Sequence, residues 1–199
     1  MLYDDLEELH NIQHIANLPS LLTLGILSND RSKSLGKHES VALEVIQDRR
    51  EKVIVPNTNR RLHSYANVYF NARNKMMSRL RGQHRDLCVL RLNKKIFLCN
   101  GVVVADQNAS SDYVRFGGGV NGLKLIDQNM VYARSWKHPE DQRLEWRHGS
   151  VVCAEVLVPD RVLPEDIMGV YVSCNEAASQ VCQNFPTLHV TVNADMFFR

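Results

Sequence analysis

The sequence predicts a single domain of the α+β class, with short strands at its centre and helices around them. Its 199 residues and 22.7 kDa suffice for one sizeable core and fall short of a comfortable pair. Hydrophobic residues at 44% and charged residues at 23% match an ordinary globular chain and exclude a disordered, collagen-like or disulfide-framework protein. Runs rich in Val, Leu and Ile at 87–92, 96–104 and 151–158 read as strands, whereas 40–52 and the segment from Asn175 read as helices.

Taken in order, residues 9–13 alternate and predict a strand. Asn17 then offers a helix N-cap, Pro19 falls in the first turn, where its missing N–H is harmless, and Gly25 supplies a stop. Residues 29–39 are polar and predict a mobile loop, after which Ser40 caps a helix carrying Val41, Ala42, Val45 and Ile46. That helix closes in Gln47-Asp48-Arg49-Arg50-Glu51-Lys52. Residues 56–59 predict a loop, 63–70 alternate as a strand, and 71–75 are polar enough for another loop. Asn93-Lys94 and Asn100-Gly101 predict tight turns between the central strands. Between 106 and 149 the periodicity dissolves around Gly117-Gly118-Gly119, Trp136 and Trp146, in a stretch longer than ordinary connectors. A strand over 151–158 stops at Pro159, and 163–172 precedes the last helix.

A formal charge of +2 and a pI near 8.3 impose no field strong enough to name a partner, though a local basic groove stays open. Five cysteines (Cys88, Cys99, Cys153, Cys174, Cys182) contain no CxxC pair and lie mostly in apolar runs, so they read as reduced core residues. No apolar stretch approaches the roughly 20 residues that span a bilayer. The acidic start is the opposite of a signal peptide's basic region, so a cytoplasmic protein with no membrane contact is expected.

Glu155 is the least comfortable residue in this pattern. Alternation sets it with Cys153 and Leu157 on one face and Ala154, Val156 and Val158 on the other, and both faces are mostly apolar. An unpaired buried carboxylate is costly, so Glu155 needs a partner or a cleft, although the pattern also allows a rim glutamate at a strand end. Arg49 and Arg50 close a helix where the dipole favours cations, and solvated arginines commonly occupy such positions. His10 and His14 are four apart but sit on a strand and turn, and no HExxH or CxxC completes a metal set. No GxSxG elbow, Walker loop or GxGxxG following a strand occurs, which leaves hydrolase and P-loop readings without support. Arg73, Lys75, Arg79, Arg81 and Arg85, interleaved with Tyr65, Tyr69 and Phe70, suit phosphates and stacked bases of a single strand, with a solvated basic segment as the alternative.

Four blocks occur in order: His14-Ile15-Ala16-Asn17-Leu18-Pro19-Ser20-Leu21-Leu22, Val45-Ile46-Gln47-Asp48-Arg49-Arg50, the segment 62–76 with Tyr69-Phe70-Asn71-Ala72-Arg73-Asn74-Lys75-Met76, and Ala154-Glu155-Val156-Leu157-Val158-Pro159. Together they resemble the DarT family of DNA ADP-ribosyltransferase toxins over roughly residues 8–192, and the Tyr-Phe-x-x-Arg-x-x-Met segment is the most distinctive.

The resemblance implies an α+β ADP-ribosyltransferase (PARP-like) fold, with two small, mostly antiparallel sheets forming an NAD cleft and peripheral helices. Residues 1–199 would form one such domain, with an NAD-binding element at about 35–53 and a substrate loop at about 106–154. It implies NAD as a consumed co-substrate and no metal. Glu155 and Arg50 would be catalytic; Arg50, Asn11, Ile12, Gln13, Ser20 and Ser28 would hold NAD. Tyr69, Arg73, Asn74, Trp136 and Trp146 would hold an unpaired DNA base by stacking and edge hydrogen bonds. The implied function is a toxin that moves ADP-ribose from NAD to a nucleobase in single-stranded DNA and releases nicotinamide. A DarG-like antitoxin with a macrodomain or NADAR-type hydrolase would restrain it, and a monomer is expected. The alternatives are an RNA or phosphate-end acceptor on the same scaffold, or a non-catalytic nucleic-acid-binding module. This chain departs from the family at His10-Asn11-Ile12-Gln13-His14, at Ala72-Arg73-Asn74-Lys75-Met76 and at Gly117-Gly118-Gly119. The family modifies thymidine in one branch and guanosine in another.

Overall fold

Alternation near the N-terminus is realised as β1 (Glu8–His14), and the chain then turns into α1 (Leu18–Leu24) with Pro19 in its first turn. The computed structural model describes residues 1–35 and 44–199. Asn17 stands at the N-cap but makes no side-chain cap bond, and its amide instead donates to Gln13 Oε1 at 3.2 Å. Gly25 ends the helix at φ +80°, where a Cβ would lie 1.9 Å from the Val162 carbonyl oxygen, so the approach requires glycine.

After β2 (Ile26–Leu27), the polar stretch expected as a loop instead opens with α2 (Asn29–Leu35). Ser28 explains the difference: its Oγ accepts from the Arg31 amide at 3.3 Å, a cap that polar composition conceals. The rest of that expected loop, and the expected Ser40 cap with Val41 and Ala42, lie outside the described residues. Next come α3 (Glu44–Glu51), β3 (Ile54–Val55) and β4 (Arg60–Arg61). Asn57 and Asn59 turn the last two strands into a hairpin with positive φ, which asparagine tolerates. β5 (Tyr65–Tyr69) leads to α4 (Lys75–Arg79), capped by Asn74 Oδ1 accepting from the amides of Met76 and Met77. β6 (Leu87–Asn93) and β7 (Val103–Ala105) follow. Residues 96–98, expected as strand, belong to a 3-10 turn, Lys94–Leu98, that buries Ile96 and Phe97. A short apolar run carries no period long enough to separate the two conformations.

Residues 106–149, expected as one long loop, contain β8 (Phe116–Gly118), α5 (Gln128–Val131) and α6 (Gln142–Val151). Asp127 and Asp141 cap the two helices by accepting from the amides of Met130 and Leu144. His148 ties them together, with Nε2 donating to the Met130 carbonyl at 3.0 Å and Nδ1 bonded to His138 Nε2 at 2.8 Å. Because α6 runs to Val151, the strand expected from residue 151 begins only at β9 (Glu155–Pro159). Cys153 therefore shares no strand face with Glu155. β10 (Arg161–Val162), β11 (Ile167–Val172), α7 (Asn175–Asn184) and β12 (Val190–Val192) complete the order.

The expectation of two small sheets is corrected to one eight-stranded sheet, ordered β12-β11-β6-β1-β5-β9-β7-β8, beside the two-stranded pairs β10-β2 and β3-β4. β11 and β12 run parallel and the other neighbours antiparallel. The reason for the difference is one contact. β1 matches β6 along its length and β5 matches β9 likewise, but β1 meets β5 only at His10 and Tyr69. That pair fuses two four-stranded halves, which splay apart beyond it.

One face of the sheet packs Val68, Phe70, Leu90, Val156 and Val170 into the main core, with Ala177 and Val181 of α7 against it. On the opposite face lie two smaller clusters, one around Ile12, Tyr69, Met77 and Trp136, the other around Val55, Leu62, Tyr65 and Leu157. Of the cysteines expected in the core, Cys88 and Cys153 are buried, but Cys99 and Cys182 are exposed and Cys174 is half-buried. Cys182 follows buried Val181 around the helix and so faces outward. Among the described residues no helix is long and apolar enough to cross a membrane.

Candidate active site

Glu155 opens β9, flanked in register by Tyr69 on β5 and Ala105 on β7, between the two smaller clusters. It is 1% exposed. Arg50, in the last turn of α3 and 7% exposed, supplies the partner the sequence pattern demanded. Its Nη1 donates to Glu155 Oε1 at 3.0 Å and its Nη2 to Oε2 at 3.2 Å. The Ala109 amide donates to Oε1 at 2.8 Å. Burial opposes the Arg50 charge, but the attraction and hydrogen bonds of Glu155 outweigh it and raise the guanidinium's pKa. Such a forked, charge-assisted pair fixes both groups in direction as well as position.

Above this pair lies a cleft of about 530 Å³, a size typical of small-molecule sites. Its wall combines Asn11, Ile12 and Gln13 of β1, Arg49 and Arg50 of α3, Lys75 and Arg79 of α4, the 108–112 segment, and Trp146 of α6. It opens where β1 and β5 diverge. Asn11 Nδ2 crosses that split to the Asn67 carbonyl at 2.9 Å, while Asn11 Oδ1 accepts from Gln13 Nε2 at 2.7 Å. Among the described residues, four lining cations, Arg49, Arg50, Lys75 and Arg79, face one lining carboxylate, Asp112. Glu155 does not line the cleft; Arg50, Tyr69 and Cys153, which do, cover it. Burial, then the charge of Glu155, raises the Tyr69 phenol's pKa, and the hydroxyl donates to Met76 Sδ at 3.3 Å. Burial likewise pushes the Cys153 thiol up to about 11, which makes it a poor nucleophile.

The structure thus brings together Arg50, Glu155, Asn11, Ile12, Gln13, Tyr69 and Trp146. Ser20 and Ser28 fall outside the cleft lining: Ser20 Oγ donates to the Asn17 carbonyl, and Ser28 caps α2. Arg73 turns toward the C-terminal segment, where Nη1 donates to the carbonyls of Asp195 and Phe197 and the guanidinium lies 4.1 Å from the Phe198 ring centroid. Asn74 and Trp136, expected as base contacts, are buried. Asn74 is the cap of α4, and Trp136 packs edge-on against Phe198. Of the expected NAD-binding element at 35–53, residues 36–43 lie outside the described residues. Sequence reading missed the 108–112 segment, whose contribution at Ala109 is a backbone N–H that leaves no side-chain signature. Lys75 and Arg79, read in the sequence as part of a basic surface for phosphates and stacked bases, line the cleft, and their i, i+4 spacing places them on one helix face.

A polar, cation-walled cleft in a split sheet, over a buried arginine–glutamate pair, defines an α+β protein with a candidate small-molecule site. The family described as ssDNA thymidine ADP-ribosyltransferase, DarT, matches residues 10–198, and the chain belongs to it. A fusion of DNA ADP-ribosyl transferase and DNA ADP-ribosyl glycohydrolase from Thermosipho africanus is 30% identical over 96% of this chain and 49% of its own length. The chain thus spans about half of that relative. Thermosipho africanus DarTG in complex with ADP-ribose superposes with a TM-score of 0.82 at 28% identity, over 96% of this chain and 51% of that one. Thermus sp. 2.9 DarT in complex with ADP-ribosylated ssDNA shares the fold at a TM-score of 0.83, 21% identity and coverage of 100% and 99%.

Proposed function

We propose that this chain transfers ADP-ribose from NAD to a nucleobase of single-stranded DNA, releasing nicotinamide, and that Arg50 and Glu155 carry the reaction. The observation behind this reading is the forked, buried Arg50–Glu155 pair beneath the cation-lined cleft. The lining suits NAD as substrate. Arg49, Arg50, Lys75 and Arg79 match a diphosphate, and Asn11, Gln13, Ser110 and Ser111 match a carboxamide and ribose hydroxyls. Membership of the DarT family and the ADP-ribose complex of the Thermosipho relative support the same assignment.

Breaking the bond between ribose C1′ and the nicotinamide nitrogen leaves its electron pair on neutral nicotinamide and positive charge on the ribose. A fixed carboxylate in a water-poor site stabilises that charge, and Glu155 is the carboxylate. Arg50 covers it at rest, so a diphosphate that draws the guanidinium toward the cleft uncovers Oε2. The attacking base nitrogen then forms the new bond to C1′ and passes its proton to Glu155. DNA bases are weak nucleophiles, which makes orientation the main requirement. Trp146, 61% exposed at the rim, offers the stacking face, while Asn74, Arg73 and Trp136 fix α4 and the C-terminal segment behind it. The family description names thymidine, which makes thymine the base we assign. The Thermosipho fusion supports a DarG-type glycohydrolase as the partner that reverses the modification.

The test is incubation with NAD and single-stranded DNA oligonucleotides, each lacking one base, beside RNA oligonucleotides and a Glu155→Ala control, read by mass spectrometry. Added ADP-ribose that vanishes with thymine and with the variant is the expected result. Modification of RNA but not DNA, or none with NAD bound, would overturn the reading.

A further inference from the structure

Lys75 is the first residue of α4 and stands in a segment where this sequence departs from its family. The first turn of a helix disfavours a cation, so helix stability does not explain a lysine there. Its side chain runs along a notch in α6. Gly149 makes the notch: a Cβ there would lie 3.1 Å from Lys75 Nζ and 3.4 Å from its Cδ. The ammonium thus rests against the helix that carries Trp146, and no ion pair among the described residues engages it.

The position of the notch along α6 gives it a meaning. Trp146, Gly149, Ser150 and Cys153 all line the cleft, and Trp146 and Gly149 are three apart on one helix face. Burial dominates the Cys153 thiol, which also feels the Glu155 carboxylate and the Lys75 ammonium. The wall therefore leads from the exposed indole at the rim, past Lys75, to a residue that covers Glu155. Seated on the α6 side, Lys75 belongs with the acceptor, and Arg49, Arg50 and Arg79 remain for the diphosphate.

We propose that Lys75 is a further catalytic residue, which donates a hydrogen bond to a carbonyl oxygen beside the attacking nitrogen of the acceptor base. The proposal rests on the reading of the cleft as a site that modifies thymine. In a DNA strand the one N–H of thymine is N3, set between two carbonyls. The C1′–nicotinamide bond breaks with its electron pair leaving on nicotinamide, while N3 forms the bond to C1′ and yields its proton to Glu155. Negative charge drawn onto the neighbouring carbonyl as that proton departs is met by the ammonium, which keeps its own protons. An ammonium only donates. It therefore disfavours cytosine and adenine, whose amino groups beside the ring nitrogen would face it donor to donor.

The experiment measures transfer from NAD to oligonucleotides that differ only at the target base, which is thymine, uracil or 5-fluorouracil. NAD affinity and melting temperature are recorded for the parent and for Lys75→Met. The variant transfers to thymine and uracil about 100-fold more slowly, the worth of one oxyanion donor, with NAD affinity and melting temperature unchanged. Fluorine makes N3–H more acidic, so replacing uracil by 5-fluorouracil speeds the variant about 10-fold more than it speeds the parent. Gly149→Ala, which crowds the ammonium out of its notch and keeps its charge, shows the same dependence on the base. An equal loss on uracil and 5-fluorouracil overturns the proposal, and so does a loss that follows weakened NAD binding. If the parent modifies no DNA, the reading of the cleft fails and oligonucleotide binding decides for Lys75. A preference for thymine over cytosine at the target position that Lys75→Met abolishes then sustains the contact, and its absence in the parent overturns it.

Discussion

Among the described residues, Glu155 Oε1 accepts from both the Ala109 amide and Arg50 Nη1, whereas Oε2 accepts from Arg50 Nη2 alone. The carboxylate is therefore anchored through one oxygen and available through the other once Arg50 moves. The anchor also ties the 106–149 segment to β9, so the cleft wall at 108–112 is held to the strand that carries Glu155.

Glu155→Gln should lower the transfer rate by about 100-fold to 10,000-fold. The Ala109 N–H needs an acceptor, so the new amide keeps its oxygen there and turns its NH₂ toward Arg50, donor against donor. Initial rates of ADP-ribose addition to an oligonucleotide measure this, and a variant above a tenth of the parent rate would remove Glu155 from the chemistry.

Arg50→Ala leaves a buried carboxylate without its counterion, and the expected loss of stability is about 3–5 kcal/mol. Removing Glu155 as well should recover part of that loss, because the two residues form one interaction. Urea denaturation of the two single variants and the double variant checks the cycle. Losses that simply add would show that the pair is not coupled.

Acid should destabilise the fold through Glu8. This carboxylate accepts from Arg91 Nε at 2.8 Å, the Tyr171 hydroxyl at 2.8 Å and His10 Nε2 at 3.2 Å. Burial works against its charge, yet these donors prevail and lower its pKa from 4.5 to about 2. A depressed carboxylate stabilises fully above its unfolded pKa and loses that contribution as pH falls toward the folded value. The loss here is roughly 2–3 kcal/mol between pH 4.5 and 2. Melting temperature against pH should fall less steeply in Glu8→Gln over that window; parallel curves would dismiss Glu8 as the cause.

The two tryptophans should part company. Trp146→Ala should weaken binding of single-stranded DNA by about 1–3 kcal/mol, the worth of one stacked base, with the melting temperature nearly unchanged. Trp136→Ala should instead cost about 3–5 kcal/mol of stability. Binding and melting data for both variants would decide, and a reversed pattern would assign the stacking face to Trp136.

The elements visible in the sequence were those with a repeating side-chain period or an abrupt stop. β1, β5, β6 and α7 follow from alternation or helical spacing, and the end of α1 follows from Gly25. What stayed hidden were short elements fixed by a single cap, as with Ser28, Asp127 and Asp141. At the site, Glu155 betrayed itself by being charged between apolar neighbours. Arg50 did not, because a helix-terminal arginine normally needs no partner, and only its family block marked it. Trp136 and Trp146 look alike in sequence, and burial depends on what α6 and the C-terminal residues cover. The Ala109 contact uses backbone alone and was invisible to any residue-type pattern.

The single backbone pair between β1 and β5 also shapes how the molecule comes apart. Either half-sheet is zipped internally by several rungs, whereas among the described residues the join carries one rung, the Asn11–Asn67 side-chain bond and the bond from His10 Nδ1 to the Phe70 carbonyl. Opening along that line sacrifices little hydrogen bonding, so the halves should part as intact ribbons before any strand peels away. Amide hydrogen exchange would then show protection lost first along the edges of β1 and β5 that face each other. If the proposed dinucleotide spans the gap, it would staple the two sides together, and its grip would appear as slower exchange on both sides of the seam.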